Sequence, residues 1–385
     1  MLTTNIEPNW LTQDNKIKLG AFYTPPQIVL KVRQLVEKYK NPAILLDPAG
    51  GCGAFIEAFQ DWDYRVADID LYAIQCLKSR FKPNRVFHSS ALENVCRSKY
   101  EIPEKAFLVV VGNPPYNDWT SLYKKGQKGS FPMDEDVFDR DLGIAFLKAM
   151  AKLRADVICV LHPLSYLVKQ ANFNRLKHFF KNYILKRVIA FPSYLFKGTS
   201  RSVGFPIAIA LYEKNSKGWS WEDMIGFDIE VLDSNITLRM KDIETTDGLI
   251  QKYPIKGFSS LGLYFLTFRD INSLLRNRDF VYKATELTIP IEWHNFSFYA
   301  YLISLKYYIL GKGSKKFWLY GNFSPLINKE EFYKLENAFV HYVLNKTRDI
   351  PLEIKESALE RFRWSESMDL VEAYFSRLFA YAEGL

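Results

Sequence analysis

The run Phe107-Leu108-Val109-Val110-Val111 leads straight into Gly112-Asn113-Pro114-Pro115-Tyr116, and that junction restricts the fold more than any other stretch of the chain. A short apolar run rich in β-branched residues reads as a buried strand, and a glycine with two prolines close behind ends it abruptly. The tetrapeptide Asn113 to Tyr116 is therefore expected at the carboxyl edge of a sheet, which is where open α/β sheets bind ligands.

The surrounding pattern agrees. Between Ile44 and Tyr212, short apolar runs alternate with amphipathic stretches: Ile44 to Leu46, Tyr64 to Ala67, Phe107 to Val111, Val157 to Leu161, Val188 to Ala190 and Pro206 to Leu211. This is the βαβα rhythm of a mainly parallel sheet covered by helices on both faces. Pro26 to Tyr39 and Gly143 to Arg154 carry apolar residues at helical spacing, and Lys38-Tyr39-Lys40 suits a last turn. The rhythm stops at the polar segment Lys214 to Trp219, so a boundary is predicted there, dividing the 385 residues into 1–214 and 215–385. Beyond it, Trp293 to Asn328 holds no acidic residue, and Lys306, Lys312, Lys315 and Lys316 are interleaved with aromatic side chains. Most of those aromatics are expected to build a second core. Glu330 to Tyr381 reads as amphipathic helix, interrupted near Pro351.

The tetrapeptide has the residue types needed to activate an exocyclic amine. The lone pair of such an amine is delocalised into its ring, and hydrogen-bond acceptors on its two hydrogens draw the pair back. Asn113 offers its side-chain oxygen, Pro114 offers a backbone carbonyl whose direction the prolines restrict, and Tyr116 offers a ring on which a base can stack. Taken without its neighbours, the same tetrapeptide is also an ordinary Pro-rich turn after a strand.

A second constellation follows the first strand. Asp47-Pro48-Ala49-Gly50-Gly51-Cys52-Gly53-Ala54-Phe55 leads into a predicted helix over Phe55 to Gln60, and its glycines permit a tight turn with close backbone approach to a ligand. About 20 residues beyond the glycines, at the end of the next strand, Asp68 stands where an acidic residue binds ribose hydroxyls, and Asp70 is expected to cap the following helix.

Composition sets limits on this reading. Lys and Arg number 51 against 43 Asp and Glu, a formal charge of +8, which suits a polyanionic partner. The cysteines Cys52, Cys76, Cys96 and Cys159 form no Cys-x-x-Cys pair, so neither a metal site nor a disulfide framework is expected. The N-terminal residues lack the basic and apolar regions of a signal peptide, and no apolar stretch reaches the roughly 18 residues of a membrane span. A soluble, cytoplasmic protein is expected, with no membrane association.

In order along the chain, Gly20-Ala-Phe-Tyr23-Thr24-Pro25-Pro26, Asp47 to Phe55, Asp68-Ile69-Asp70 and Asn113 to Tyr116 resemble the gamma-class N6-adenine DNA methyltransferases of restriction-modification systems. The resemblance covers about Leu19 to Lys214. It implies a Rossmann-like, mainly parallel seven-stranded methyltransferase sheet with a C-terminal α-rich target-recognition domain. It further implies S-adenosylmethionine as cofactor and double-stranded DNA as substrate, with a cognate restriction endonuclease as candidate partner; a monomer is expected. Tyr23 and Thr24 would face the methionine end of the cofactor. Asp47, Pro48, Ala49, Gly51 and Gly53 would line the same end, and Asp68 would hold the ribose. Ile69 and Phe146 would pack on the cofactor adenine, although Phe146 at helical spacing is also an ordinary core residue.

Two departures stand out. The family usually has Cys where this chain has Gly50 and Ser or Thr where it has Cys52, changes expected to be absorbed by a backbone-lined loop. Its third motif usually supplies an Asp for the cofactor's adenine amine, whereas this chain has Ser90, followed by Ala91. An uncharged acceptor is expected to weaken cofactor binding by about 1 kcal/mol.

For the DNA, Phe196 occupies the family position of a second stacking aromatic, with core packing as the alternative. Lys181 to Lys217 holds Lys181, Lys186, Arg187, Lys197, Arg201, Lys214 and Lys217 against Glu213 alone, a phosphate-facing balance. Lys124, Lys125 and Lys128 form a basic loop behind the catalytic motif, and Lys312, Lys315 and Lys316 are candidate backbone contacts in the second domain. His88 and His162 are not needed as bases, because the methylated amine is cationic and sheds its proton unaided. Methylation of an RNA base or a protein glutamine stays open as an alternative, as does a non-catalytic DNA-binding specificity component.

Overall fold

A computed structural model describes residues 24–116, 132–196, 204–347, 350–364 and 366–380. The chain divides into two compact units, the first running to Met240 apart from residues 201–206, which group with the second, and the second continuing from Lys241.

The first unit is built on one sheet. Its strands are β1 (Ile44–Asp47), β2 (Asp63–Asp68), β3 (Val86–His88), β4 (Leu108–Gly112), β5 (Val157–Pro163), β6 (Tyr183–Pro192), β7 (Pro206–Lys214), β8 (Ile229–Val231) and β9 (Thr237–Leu238), ordered 3-2-1-4-5-7-6-8-9. β1, β2, β3, β4 and β5 pair in parallel, and β7 runs antiparallel to β5. The first seven strands in this order are the Rossmann-like methyltransferase sheet that the resemblance implies. Every residue of β1 and β4 is buried, because helices cover both faces.

Four of the helices matter for the site. α1 (Pro26–Val36) starts at Pro26, where the helical spacing begins, and buries Ile28, Val29, Val32, Leu35 and Val36. α2 (Ala54–Ala58) follows the glycine turn, and α3 (Leu71–Arg80) is capped by Asp70, whose carboxylate accepts the Tyr72 N–H at 3.0 Å as expected. α4 (Leu142–Lys152) is capped by Asp141, which accepts from Gly143 and Ile144.

The strand order reverses between β1 and β4. Their register pairs Leu45 with Val109 and Leu46 with Val110, so Asp47 ends β1 one residue short of the level of Gly112, close enough for the two to touch. This is the switch point at which loops diverge and open a crevice.

The boundary lies later than the predicted Lys214. β8 pairs in parallel with β6, Ile189 opposite Glu230 and Ala190 opposite Val231, and β9 pairs with β8, so 215–240 extends the first unit's sheet. Strands of three and two residues are too short to display an alternation in the sequence.

The second unit is α-rich, with α5 (Phe296–Lys312), α6 (Lys329–Lys346), α7 (Leu352–Arg361) and α8 (Asp369–Leu378) beside a two-stranded antiparallel sheet of β10 (Tyr264–Leu266) and β11 (Thr288–Pro290). Its core is aromatic, as expected. The Tyr301 ring on α5 sits 5.3 Å from Phe332, 5.0 Å from Phe339 and 5.5 Å from Phe375, and its hydroxyl donates to the Leu326 carbonyl at 2.5 Å.

Candidate active site

The turn after β1 needs its glycines. Gly51 and Gly53 sit at φ +53° and +84°, in the left-handed region, and Gly53 opens α2 from that conformation. Gly50 is required for a different reason: a Cβ there would lie 2.2 Å from Val66 Cγ2 on β2. The loop therefore does not simply absorb the exchange of Cys for Gly50. Val66 fills the room that a side chain at position 50 would take.

The loop is tied to the tip of β2. The Gly51 N–H donates to Asp68 Oδ2 at 2.8 Å and the Asp70 N–H donates to Asp68 Oδ1 at 2.9 Å. Asp68 thus sits at the strand end expected of it, each oxygen keeping lone-pair capacity beyond its backbone bond. Burial raises its pKa, and those backbone N–H groups oppose the shift. Ile69, next along, is 49% exposed, an apolar side chain open to solvent beside the loop.

Asp47 is 1% exposed. Its Oδ1 accepts the Ala49 N–H at 3.2 Å, while Oδ2 is buried with no hydrogen-bond donor among the described residues. Burial, reinforced by the negative charge of Asp68, pushes its pKa up to about 8. An orphaned buried carboxylate oxygen is costly unless a donor meets it, and a cation is the donor that would also restore its charge.

Across the seam, Gly112 has φ +154° and presses on Asp47, a Cβ there falling 2.9 Å from Asp47 Oδ1. Asn113 follows directly, partly exposed, with Pro114 buried and Pro115 and Tyr116 partly exposed. The structure thus brings the tetrapeptide Asn113 to Tyr116 and the glycine turn to one sheet edge. Burial raises the Tyr116 phenol pKa, so the ring is neutral at physiological pH.

Beneath Tyr116 lies a support that the sequence reading missed. A Cβ on Gly143 would meet the Tyr116 Cβ at 3.0 Å and the Tyr166 hydroxyl at 2.5 Å, so the first turn of α4 packs directly against the base of the Tyr116 side chain and against the Tyr166 ring. Tyr166 donates to Asp141, the α4 cap, and stacks on His162 at 5.1 Å. His162 is 1% exposed, bonds the Tyr212 hydroxyl at 2.7 Å, and is held neutral by burial, which lowers its pKa to about 4. The signal was available: Asp141 ahead of an apolar helical run is an N-cap pattern.

The other expected residues scatter more. Thr24 is buried ahead of α1, whereas Tyr23 lies outside the described residues. Pro48 and Ala49 lie in the glycine turn, Ala49 bonding Asp47 as above. Ser90 and the buried Ala91 follow β3; Ser90 Oγ accepts the Leu92 N–H at 3.2 Å and so also stabilises its own turn. Asp134 holds that turn from outside, accepting from Asn94 at 2.7 Å and Val95 at 2.9 Å. Phe146 is 7% exposed on α4, as a core residue would be.

Phe196 does not present an open face. It is 2% exposed and lies 5.8 Å from the Phe191 ring, so core packing, its alternative reading, is what the structure shows. The basic flank is also less free than its tally. Arg187 takes Glu230 at 2.7 and 2.8 Å, and Lys186 lies 3.6 Å from Glu213. Glu230 comes from β8, outside the window in which the charges were counted. Lys124, Lys125, Lys128, Lys197 and Arg201 fall outside the described residues. Lys312, Lys315 and Lys316 are exposed at the end of α5 and just beyond it, Lys312 lying 5.8 Å from the Tyr308 ring.

Among the described residues, no helix is long and apolar enough to cross a membrane, and no group of three or more His, Cys, Asp or Glu side chains is arranged to hold a metal ion.

Residues 59–196 match the family model described as Eco57I restriction-modification methylase, a stretch that contains Asp68, Ser90 and Asn113 to Tyr116. The chain is similar to the Type II methyltransferase M.HincII of Haemophilus influenzae, with 26% identity over 257 residues, covering 65% of this chain and 46% of that protein. It therefore spans about half the length of the curated relatives it matches. Among solved structures it is similar to a modification subunit of a putative type I restriction enzyme from Vibrio vulnificus, with 16% identity, a TM-score of 0.37 and coverage of 54% of this chain and 47% of that one. It is also similar to a putative class I S-adenosylmethionine-dependent methyltransferase from Listeria monocytogenes, with 21% identity, a TM-score of 0.36 and coverage of 50% and 60%.

Proposed function

We propose that the first unit is a DNA methyltransferase of the restriction-modification type. It transfers a methyl group from S-adenosylmethionine to the N6 amine of an adenine extruded from duplex DNA, and the second unit reads the target. The observation that carries this reading is the β1–β4 seam, where Asp47 of the glycine turn abuts the residue directly ahead of Asn113.

The cofactor is S-adenosylmethionine, which supplies an electrophilic methyl group on a sulfonium centre. The residues at the seam fit it. The orphaned Asp47 Oδ2 suits the ammonium of the methionine end, the glycine turn admits close backbone approach, Asp68 retains acceptor capacity for ribose hydroxyls, and exposed Ile69 offers apolar surface to an adenine.

The chain's own groups then orient the amine. Asn113 Oδ1 and the Pro114 carbonyl accept its two hydrogens and turn its lone pair out of the ring. Tyr116, braced from below by Gly143, takes the base on its face. No general base is needed before attack, consistent with a His162 that is buried, neutral and engaged with Tyr212.

Offering the protein labelled S-adenosylmethionine together with DNA, RNA and protein substrates tests the reading. Label is expected in DNA. Label in RNA or protein alone favours the alternative acceptors, and cofactor binding without transfer favours a specificity component.

A further inference from the structure

Two loops of the second unit carry large apolar side chains outward. Tyr253, Ile255 and Phe258 are 59%, 50% and 89% exposed, and Tyr282 and Leu287 are 59% and 62% exposed. Exposed apolar groups gathered on one surface mark an interaction site more often than an idle one.

Backbone pairing brings the two loops to one patch. Tyr264 of β10 faces Pro290 of β11 on one side, and on the other it exchanges hydrogen bonds of 2.8 and 2.9 Å with Val281. Gly257 lies beside Pro290, a Cβ there meeting Pro290 Cγ at 3.6 Å, and Ser259 Oγ donates to the Ile291 carbonyl at 2.5 Å. Phe258 is therefore at one edge of a narrow strand patch and Tyr282 at the other. With strands about 4.8 Å apart, that spread is on the order of the roughly 12 Å width of a DNA major groove.

The charges on this stretch identify the partner. Between residues 251 and 290 the exposed charged side chains are Lys256, Arg269, Arg276, Arg278 and Lys283 against Glu286. The remaining acids face inward. Asp270 caps the helix Ile271–Arg276, and Asp279 is buried, with Lys306 at 2.8 Å. Exposed apolar side chains on a stretch whose exposed charges are five cations against one acid suit a polyanion with stacked, partly apolar edges.

We propose that this face docks the second unit on duplex DNA, with Phe258 and Tyr282 packing on base or sugar edges and Lys256 and Lys283 holding phosphates. The inference rests on the reading of the chain as a DNA methyltransferase and goes beyond it by naming the face that meets DNA, one distinct from the Lys312 to Lys316 segment expected from the sequence.

The test measures binding of the full chain to a short random-sequence duplex across a salt series. Phe258→Ala and Tyr282→Ala are each expected to weaken binding by about tenfold. Lys256→Ala and Lys283→Ala should each lower the log–log salt slope by about 0.9. All four variants should bind S-adenosylmethionine and unfold on heating as wild type does, since the altered side chains are exposed. Lys256→Glu is a second probe, expected to weaken binding further than Lys256→Ala. Wild-type binding with all variants unchanged overturns the proposed face. A wild-type chain with no affinity for duplex DNA overturns the methyltransferase reading itself.

Discussion

Asp47 and Gly112, on neighbouring strands, lie so close that a Cβ on Gly112 would fall 2.9 Å from Asp47 Oδ1. The glycine turn after β1 and the strand end that carries Asn113 are thus held in mutual register by a missing side chain. Gly112→Ala adds an atom at a φ of +154°, which side-chain-bearing residues rarely adopt, so strain of about 1–3 kcal/mol is expected. Cofactor affinity by calorimetry and methyl-transfer rate should both fall at least several-fold. Unchanged values for both would mean that the seam does not couple them.

The raised pKa of Asp47 has a definite sign in stability. Its folded value, about 8, lies above its ordinary value of 3.8, so the native state holds a proton that the unfolded chain releases. This contribution is fully present below about pH 4 and declines as pH rises towards 8. A cationic ligand draws that proton off, so cofactor binding near neutral pH should release protons and tighten as pH approaches 8. Calorimetry in buffers of different ionisation enthalpy measures the release, and Asp47→Asn should abolish it. Identical proton release in the variant would assign it to another group.

Gly50 and Val66 share one volume, since a Cβ at position 50 would lie 2.2 Å from Val66 Cγ2. Gly50→Cys, which restores the residue usual in the family, should therefore destabilise the protein by about 1–3 kcal/mol. Combined with Val66→Ala it should cost less than the sum of the two single changes, with a coupling of about 1 kcal/mol or more in a denaturation cycle. Strict additivity would rule out the shared volume.

Ser90 Oγ already accepts the Leu92 N–H at 3.2 Å and offers an adenine amine no negative charge. Ser90→Asp is expected to tighten S-adenosylmethionine binding by about 1 kcal/mol, roughly fivefold. Calorimetric titration of both proteins checks it, and equal affinity would count against an amine contact at this position.

The central strands were legible because burial on both faces demands unbroken apolar runs, and β1, β4 and β5 have them. The three-residue β3 and the pair β8–β9 were not, since so few residues show no period. The placement of Asp68 and the capping role of Asp70 followed from spacing and residue type alone. The covering of Phe196 and the pairing of Arg187 were not legible, for a common reason. Whether a ring is covered, or a cation paired, is decided by how the folded chain packs, here Phe191 at the end of β6 against Phe196 and Glu230 of β8 against Arg187. The Gly50–Val66 contact is likewise tertiary, and no local pattern announces it.

The most direct measurement incubates wild-type protein and Asn113→Ala with unmethylated DNA and S-adenosylmethionine, then digests the DNA to nucleosides for mass spectrometry. N6-methyldeoxyadenosine is expected from wild type, with a loss of at least about 100-fold in the variant, which should still bind the cofactor. Methyldeoxycytidine as the sole product, or near-normal N6-methyldeoxyadenosine from Asn113→Ala, would contradict an adenine-directed role for Asn113.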